Sequence, residues 1–115
     1  MLTVLVVEDE ENILKLVRAT FTGNDTKLLM ATTYEEFCDL LPGLSSSMVA
    51  FLDEDFSGGS GAQAAAVLRS SFPRAKLVSI SARERERLPW NPDAFLQKPF
   101  SPAQVLATVK GLLLG

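Results

Sequence analysis

Three carboxylates stand where apolar runs stop. Glu8 and Asp9 follow the run LTVLVV, and Asp53 follows MVAFL. Each run is short and rich in Val, Leu or Met. Such a run fits a strand buried on both faces, and equally a piece of buried helix. A carboxylate just past a strand leaves the core and enters a loop. In open α/β sheets, ligands bind in the crevice at the carboxyl ends of the strands. Three carboxylates gathered there repel one another unless a cation lies between them. Two other residues end strand-like runs in the same way. Ser81 closes KLVSIS and is followed by the small Ala82, while Lys98 closes FLQK and precedes Pro99. The set is three carboxylates, a hydroxyl and an ammonium, one or two at each strand end.

Positioning them requires strands near residues 2–7, 26–31, 48–52, 76–80 and 94–97. Helical patterns lie between and after these strands. Over 11–22, Ile13, Leu14, Val17 and Phe21 recur at spacings of three and four, and Asp9 is the expected cap. Over 33–41, Phe37, Leu40 and Leu41 group together. The Ala-rich stretch 61–72 turns Val67, Leu68 and Phe72 inward and stops before Pro73. The stretch 102–113 opens with Ser101 as cap and Pro102 in the first turn. Its inward set is Val105, Leu106, Val109, Leu112 and Leu113. Alternating strands and helices imply parallel pairing through right-handed crossovers. Five such units predict a flavodoxin-like, doubly wound sheet of five parallel strands in the order 2-1-3-4-5. The first and third strands are then neighbours, and Glu8, Asp9 and Asp53 share one pocket. The segment SARERERLPWNPDA is irregular, with Pro89 and Pro92 flanking Trp90, so the fourth helix is predicted to be shortened or absent.

Composition narrows the functional classes. The 115 residues are 47% apolar and 22% charged, as in globular proteins. One domain over 1–115 is the expectation. A net charge of −3 does not suggest direct nucleic-acid binding. The chain has no histidine, which excludes Ser-His-Asp and Cys-His centres and any His-ligated metal. Cys38 is the single cysteine and forms no internal disulfide; inert packing or partial exposure, and a reduced, cytoplasmic setting, are expected. No targeting segment or membrane span is read from the sequence. Ser57 to Gly61 hint at a nucleotide loop, but no Lys-Ser/Thr follows, which rejects a P-loop. The run Arg83 to Arg87 reads as a solvated face.

VLVVEDE, FLDED, the Ser81-Ala82 pair and KPF, in this order, resemble the receiver domain of bacterial two-component response regulators across the whole chain. The resemblance implies that Asp53 accepts a phosphoryl group from a histidine kinase or phosphotransfer protein. It implies that Glu8, Asp9 and Asp53, with the backbone carbonyl of Asp55, hold Mg²⁺. Lys98 and Ser81 would contact phosphoryl oxygens. Ser81 and the aromatic Phe95 would form the switch that controls a downstream partner or output domain, with homodimerisation open. Such a domain is no enzyme beyond phosphoryl transfer to itself and its own dephosphorylation. Gly61 matches a glycine of the family's loop after the acceptor. Ser57 stands where the family has proline, which predicts a more mobile loop.

Some features depart from that pattern. Ser81 and Lys98 are only 17 positions apart, so the fourth unit is short and Trp90 is either a core plug or a docking residue. Asp55 and Arg83, each two positions past a site residue, are expected to pair over the pocket and hinder water. A receiver-shaped interaction module that does not switch by phosphorylation is the alternative function. A flavodoxin-like electron carrier fits the topology, but the acidic pocket would repel a flavin phosphate.

Overall fold

The computed structural model describes residues 2–114 except Asn24, 84–87 and Pro89. Its elements are β1 (Leu2–Val7), α1 (Glu11–Thr20), β2 (Thr26–Ala31), α2 (Tyr34–Leu40), β3 (Met48–Asp53), β4 (Asp55–Phe56), β5 (Gly59–Ser60), α3 (Gly61–Ser71), β6 (Lys76–Ser81), β7 (Ala94–Gln97) and α4 (Pro102–Leu114). The main sheet is parallel, in the order β2-β1-β3-β6-β7. Setting aside the two-residue strands, this is the expected 2-1-3-4-5.

Strand alternation explains the two layers. Val4 and Val6 face one side of β1, and Leu5 and Val7 the other. On the first side Val4, Val6, Val49, Phe51, Val78 and Ile80 meet Ile13, Leu14 and Val17 of α1 and Val105 and Val109 of α4. On the second, Leu5, Val7, Ala50, Leu52 and Leu77 meet Phe37 of α2 and Ala64, Ala65 and Leu68 of α3. Both faces of the central strands are thus dry, which is why their runs are continuously apolar.

The helices show where local patterning misleads. α4 is apolar on most of its circumference, so its inward stripe is ambiguous from spacing. Val105 and Val109 are buried, whereas Leu106 and Leu113 are 41% and 58% exposed. α3 buries alanines, which allow close approach to the sheet, while Val67 and Phe72 are only half-buried. α1 ends at Thr20, two residues early, and residues 41–43 form a 3₁₀ turn after α2.

α3 starts from a capping box. Ser60 Oγ accepts from Gln63 N (3.3 Å), and Gln63 Oε1 accepts from Ser60 N (2.9 Å). Ser60→Ala is expected to lower stability by about 1 kcal/mol in urea unfolding. No change in midpoint would show that the box contributes nothing. Ser101 and Gln104 form the equivalent box on α4, as the sequence indicated for Ser101.

The loop after β3, where Ser57 stands in place of the proline, is built as a short ribbon. β4 and β5 pair antiparallel, with Gly58 at φ +83° in the turn. Tyr34 N donates to Ser57 O (2.9 Å), and the Tyr34 ring stacks on Phe56 with centroids 6.4 Å apart. This ribbon is thereby tied to the start of α2.

Among the described residues there is no helix between β6 and β7. Instead, Arg69 on α3 donates to Asn91 O (2.9 Å) and meets Asp93 (3.4 Å). Asp93 in turn accepts from Leu77 N (2.8 Å). Trp90 packs against the core layer under α2 and α3, so it is a local plug. Of the run from Arg83 to Arg87, only Arg83 lies among the described residues, and it is exposed; Pro89 also lies outside them.

Candidate functional site

At the end of β1, Glu8 N donates to Ala31 O (3.0 Å), which continues the pairing with β2 and carries the side chain inward. Glu8 is 0% exposed. Its Oε1 accepts from the backbone N–H of both Asp9 and Glu10, at 3.1 Å each. That carboxylate therefore organises the turn into α1. The N-cap is Glu10, with no side-chain capping bond, and not Asp9. The expected Asp9 cap fails because the chain enters the helix one residue later.

Asp53 closes β3 and is 7% exposed. A Cβ on Gly61 would lie 2.7 Å from Asp53 O, so the first residue of α3 must be glycine for the helix to sit behind the aspartate. Glu54 turns away from Asp53 to accept from the buried Ser79 hydroxyl (2.7 Å).

Glu8, Asp9 and Asp53 each present a carboxylate oxygen, and these three oxygens lie within 4.8 Å of one another. Lys98 enters from β7, held by its N–H to Ser81 O (2.7 Å). Its Nζ is 2.5 Å from Glu10 Oε2, 2.9 Å from Glu8 Oε2 and 3.5 Å from Asp53 Oδ1. The contact with Glu8 is ionic and not a directed hydrogen bond. Glu8 Oε2 is buried and has no hydrogen-bond donor among the described residues.

The electrostatics follow from this crowding. Burial pushes the Asp53 carboxyl up, and the neighbouring Glu8 charge adds to it. Lys98 opposes both, the closeness of the Glu8 carboxylate and the charge of Asp9 raise it further, and the net result is about 7. Burial alone would lower the Lys98 ammonium. The hydrogen bond to Glu10 and the close contact with Glu8, with the Glu8 and Asp53 charges, outweigh burial and raise it above the ordinary lysine range. These two shifts describe a pocket with more negative charge than one lysine can balance.

The donor set fits a hard divalent cation. It offers carboxylate oxygens only, one of them buried without a donor, and Mg²⁺ binds through one or two carboxylates while keeping waters and phosphate oxygens.

The remaining predicted residues are dispersed around this centre. Ser81 is buried one position past Ile80, which pairs with Asp53, and its Oγ accepts from Arg83 N (3.1 Å). Asp55 lies on the ribbon and meets Arg83 at 3.8 Å, with side chains 81% and 70% exposed. Such an open pair is screened and contributes little. Phe95 is half-buried and belongs to neither core layer. It pairs with Ser79, and Gln97 pairs with Ser81, so Phe95 is on the Ser81 face one pair away. Two partners escaped the sequence reading. Glu10 was hidden in an acidic run with nothing to distinguish it, and its contact is with a residue 88 positions away. The Glu54–Ser79 bond likewise has no local signal.

No protein-family model and no curated protein matches the chain. Solved structures do match. The receiver domain of DrrB, described as BeF3-activated, aligns with a TM-score of 0.83 at 23% identity over 100% of this chain and 99% of that one. The response regulator TrrA of Thermotoga maritima, in complex with Mg²⁺ and BeF, aligns with a TM-score of 0.80 at 27% identity over 97% and 99%. A two-component response regulator from Clostridium difficile gives 0.86 at 17% identity over 98% and 96%. The chain carries the receiver fold. In the receiver fold of this chain, the acidic cluster sits at the carboxyl ends of β1 and β3, where the strand order reverses.

Proposed function

We propose that this chain is the phosphoacceptor receiver domain of a two-component phosphorelay, one domain over 1–115 that works in the cytoplasm. The observation that carries the reading is the buried Asp53 carboxylate, gathered with Glu8 and Asp9 and approached by the Lys98 ammonium. One oxygen of Asp53 attacks the phosphorus of a phosphohistidine on a kinase or phosphotransfer protein. The bond from phosphorus to the donor nitrogen breaks, and the electron pair leaves with the imidazole. Glu8, Asp9 and Asp53, with the Asp55 carbonyl, would hold Mg²⁺, which when bound neutralises charge between the acceptor and the phosphoryl oxygens. Lys98 pairs with a phosphoryl oxygen as a mobile point charge. Ser81 exchanges its bond from Arg83 N–H for one in which its hydroxyl donates to the phosphoryl group. That exchange is a local event able to bias two conformations, with Phe95 on the same face as the second switch residue and a downstream partner or output domain as the reader.

The test is incubation with Mg²⁺ and acetyl phosphate, followed by intact-mass measurement. The wild type is expected to gain one phosphoryl group, and Asp53→Ala to gain none. A wild type that binds Mg²⁺ yet gains no phosphoryl group would support the non-switching interaction module instead.

A further inference from the structure

Lys98 has three carboxylate partners, and they are not equivalent. Glu8 and Asp53 also belong to the group whose oxygens converge for a cation; Glu10 does not. Yet Glu10 makes the shortest contact with Lys98, 2.5 Å against 2.9 Å and 3.5 Å. A divalent ion seated among Glu8, Asp9 and Asp53 would stand a few ångströms from the ammonium. Two like charges at that range repel strongly in a site shielded from water. The ion also takes the negative charge that Lys98 otherwise uses. Glu10 is then the one partner of the lysine that the ion leaves alone.

We infer that Glu10 is a positioning residue that holds the Lys98 ammonium at the rim of the pocket, so that lysine and divalent ion occupy the site together. The assignment rests on the phosphoacceptor reading for its biological purpose, and on geometry for its mechanism. Glu10 is suited to the task because it is half outside. Its side chain is 58% exposed while that of Lys98 is 13% exposed, so the pair spans the boundary between water and pocket. Its backbone is fixed as the N-cap of α1 and donates to Glu8 Oε1, which locks the spacing between the holding carboxylate and the ligating one. Without the Glu10 charge, Lys98 falls back on Glu8 and Asp53 and competes with the ion for them.

The experiment is a double-mutant cycle read by calorimetric titration of Mg²⁺, with no phosphodonor present. Glu10→Gln is expected to raise the Mg²⁺ Kd about fivefold. In a Lys98→Met background, the same substitution is expected to change it less than twofold, since no ammonium remains to be held. An effect under twofold in the wild-type background would overturn the inference. Equal effects in both backgrounds would also overturn it, because Glu10 would then act only through its own charge on the ion. A wild type that binds no Mg²⁺ would remove the metal reading and the inference together. A wild type that binds Mg²⁺ normally with Glu10→Gln unchanged would remove the inference alone.

Discussion

Asp53→Asn is expected to raise the melting temperature of the ion-free protein at pH 8, and by much less at pH 4.5. In the folded chain the Asp53 carboxyl is raised from an ordinary 3.8 to about 7, chiefly by burial and by the charge of Glu8. A raised carboxyl means that the folded state binds the proton more tightly than the unfolded state does. Between about pH 4 and pH 7 the unfolded chain has lost that proton while the folded chain keeps it. Stability therefore falls as pH rises through this window and levels off above it. By the usual conversion of about 1.4 kcal/mol per unit, the loss is of order a few kcal/mol. Asparagine has nothing to ionise, so it escapes the loss. Its amide N–H can also donate toward Glu8 Oε2, the buried oxygen that lacks a donor. A gain of about 5–15 °C at pH 8 is expected for a domain of this size. Melting curves in a chelator at the two pH values check it. A gain of the same size at pH 4.5 would show that packing, not charge, is responsible. The same variant should accept no phosphoryl group, so stability and function pull in opposite directions at this residue.

How far the sequence shows this site depends on the range of the forces involved. β1, β2 and β7 were legible to the residue, and β3 and β6 within one residue; for the central strands the reason is that both faces are buried and their apolar runs end where the core ends. The same property brought Glu8, Asp9 and Asp53 together, since a carboxylate cannot continue such a run. What stayed hidden is set by contacts with no local trace. β4 and β5 are two residues each, shorter than any periodicity. They sit where the Tyr34 ring, at the start of α2, stacks on Phe56 of β4. The start of α1 at residue 11 was legible, but its cap was misassigned: Asp9 is a good cap by type, yet the chain enters the helix one residue later, from Glu10. The inward stripe of α4 was overextended to Leu106 and Leu113 because hydrophobicity is not evidence of facing when a helix is apolar nearly all round. Glu10 could not be singled out, because its importance comes from where Lys98 arrives.

Lys98→Met is expected to destabilise the ion-free protein by about 3 kcal/mol at pH 8, and Mg²⁺ is expected to recover much of it. Methionine keeps a long apolar stem, so the packing loss is small and the change is mainly the loss of charge. Glu8 is wholly buried, and Lys98 Nζ at 2.9 Å is the cation that compensates it. Removing one partner of a buried pair leaves the other charge uncompensated, which is far costlier than the pair's net contribution. Asp53 is then pushed higher still, since the Lys98 charge that lowers it is gone. The deficit should therefore shrink toward pH 5, where that carboxyl is protonated. Mg²⁺ can replace the missing charge among Glu8, Asp9 and Asp53, where the like charge of a nearby ammonium no longer opposes it. Millimolar Mg²⁺ should thus raise the melting temperature of Lys98→Met by more than it raises that of the wild type. Thermal unfolding with and without the ion measures both values. If the ion stabilises the variant less than the wild type, the Lys98 charge does not oppose the cation.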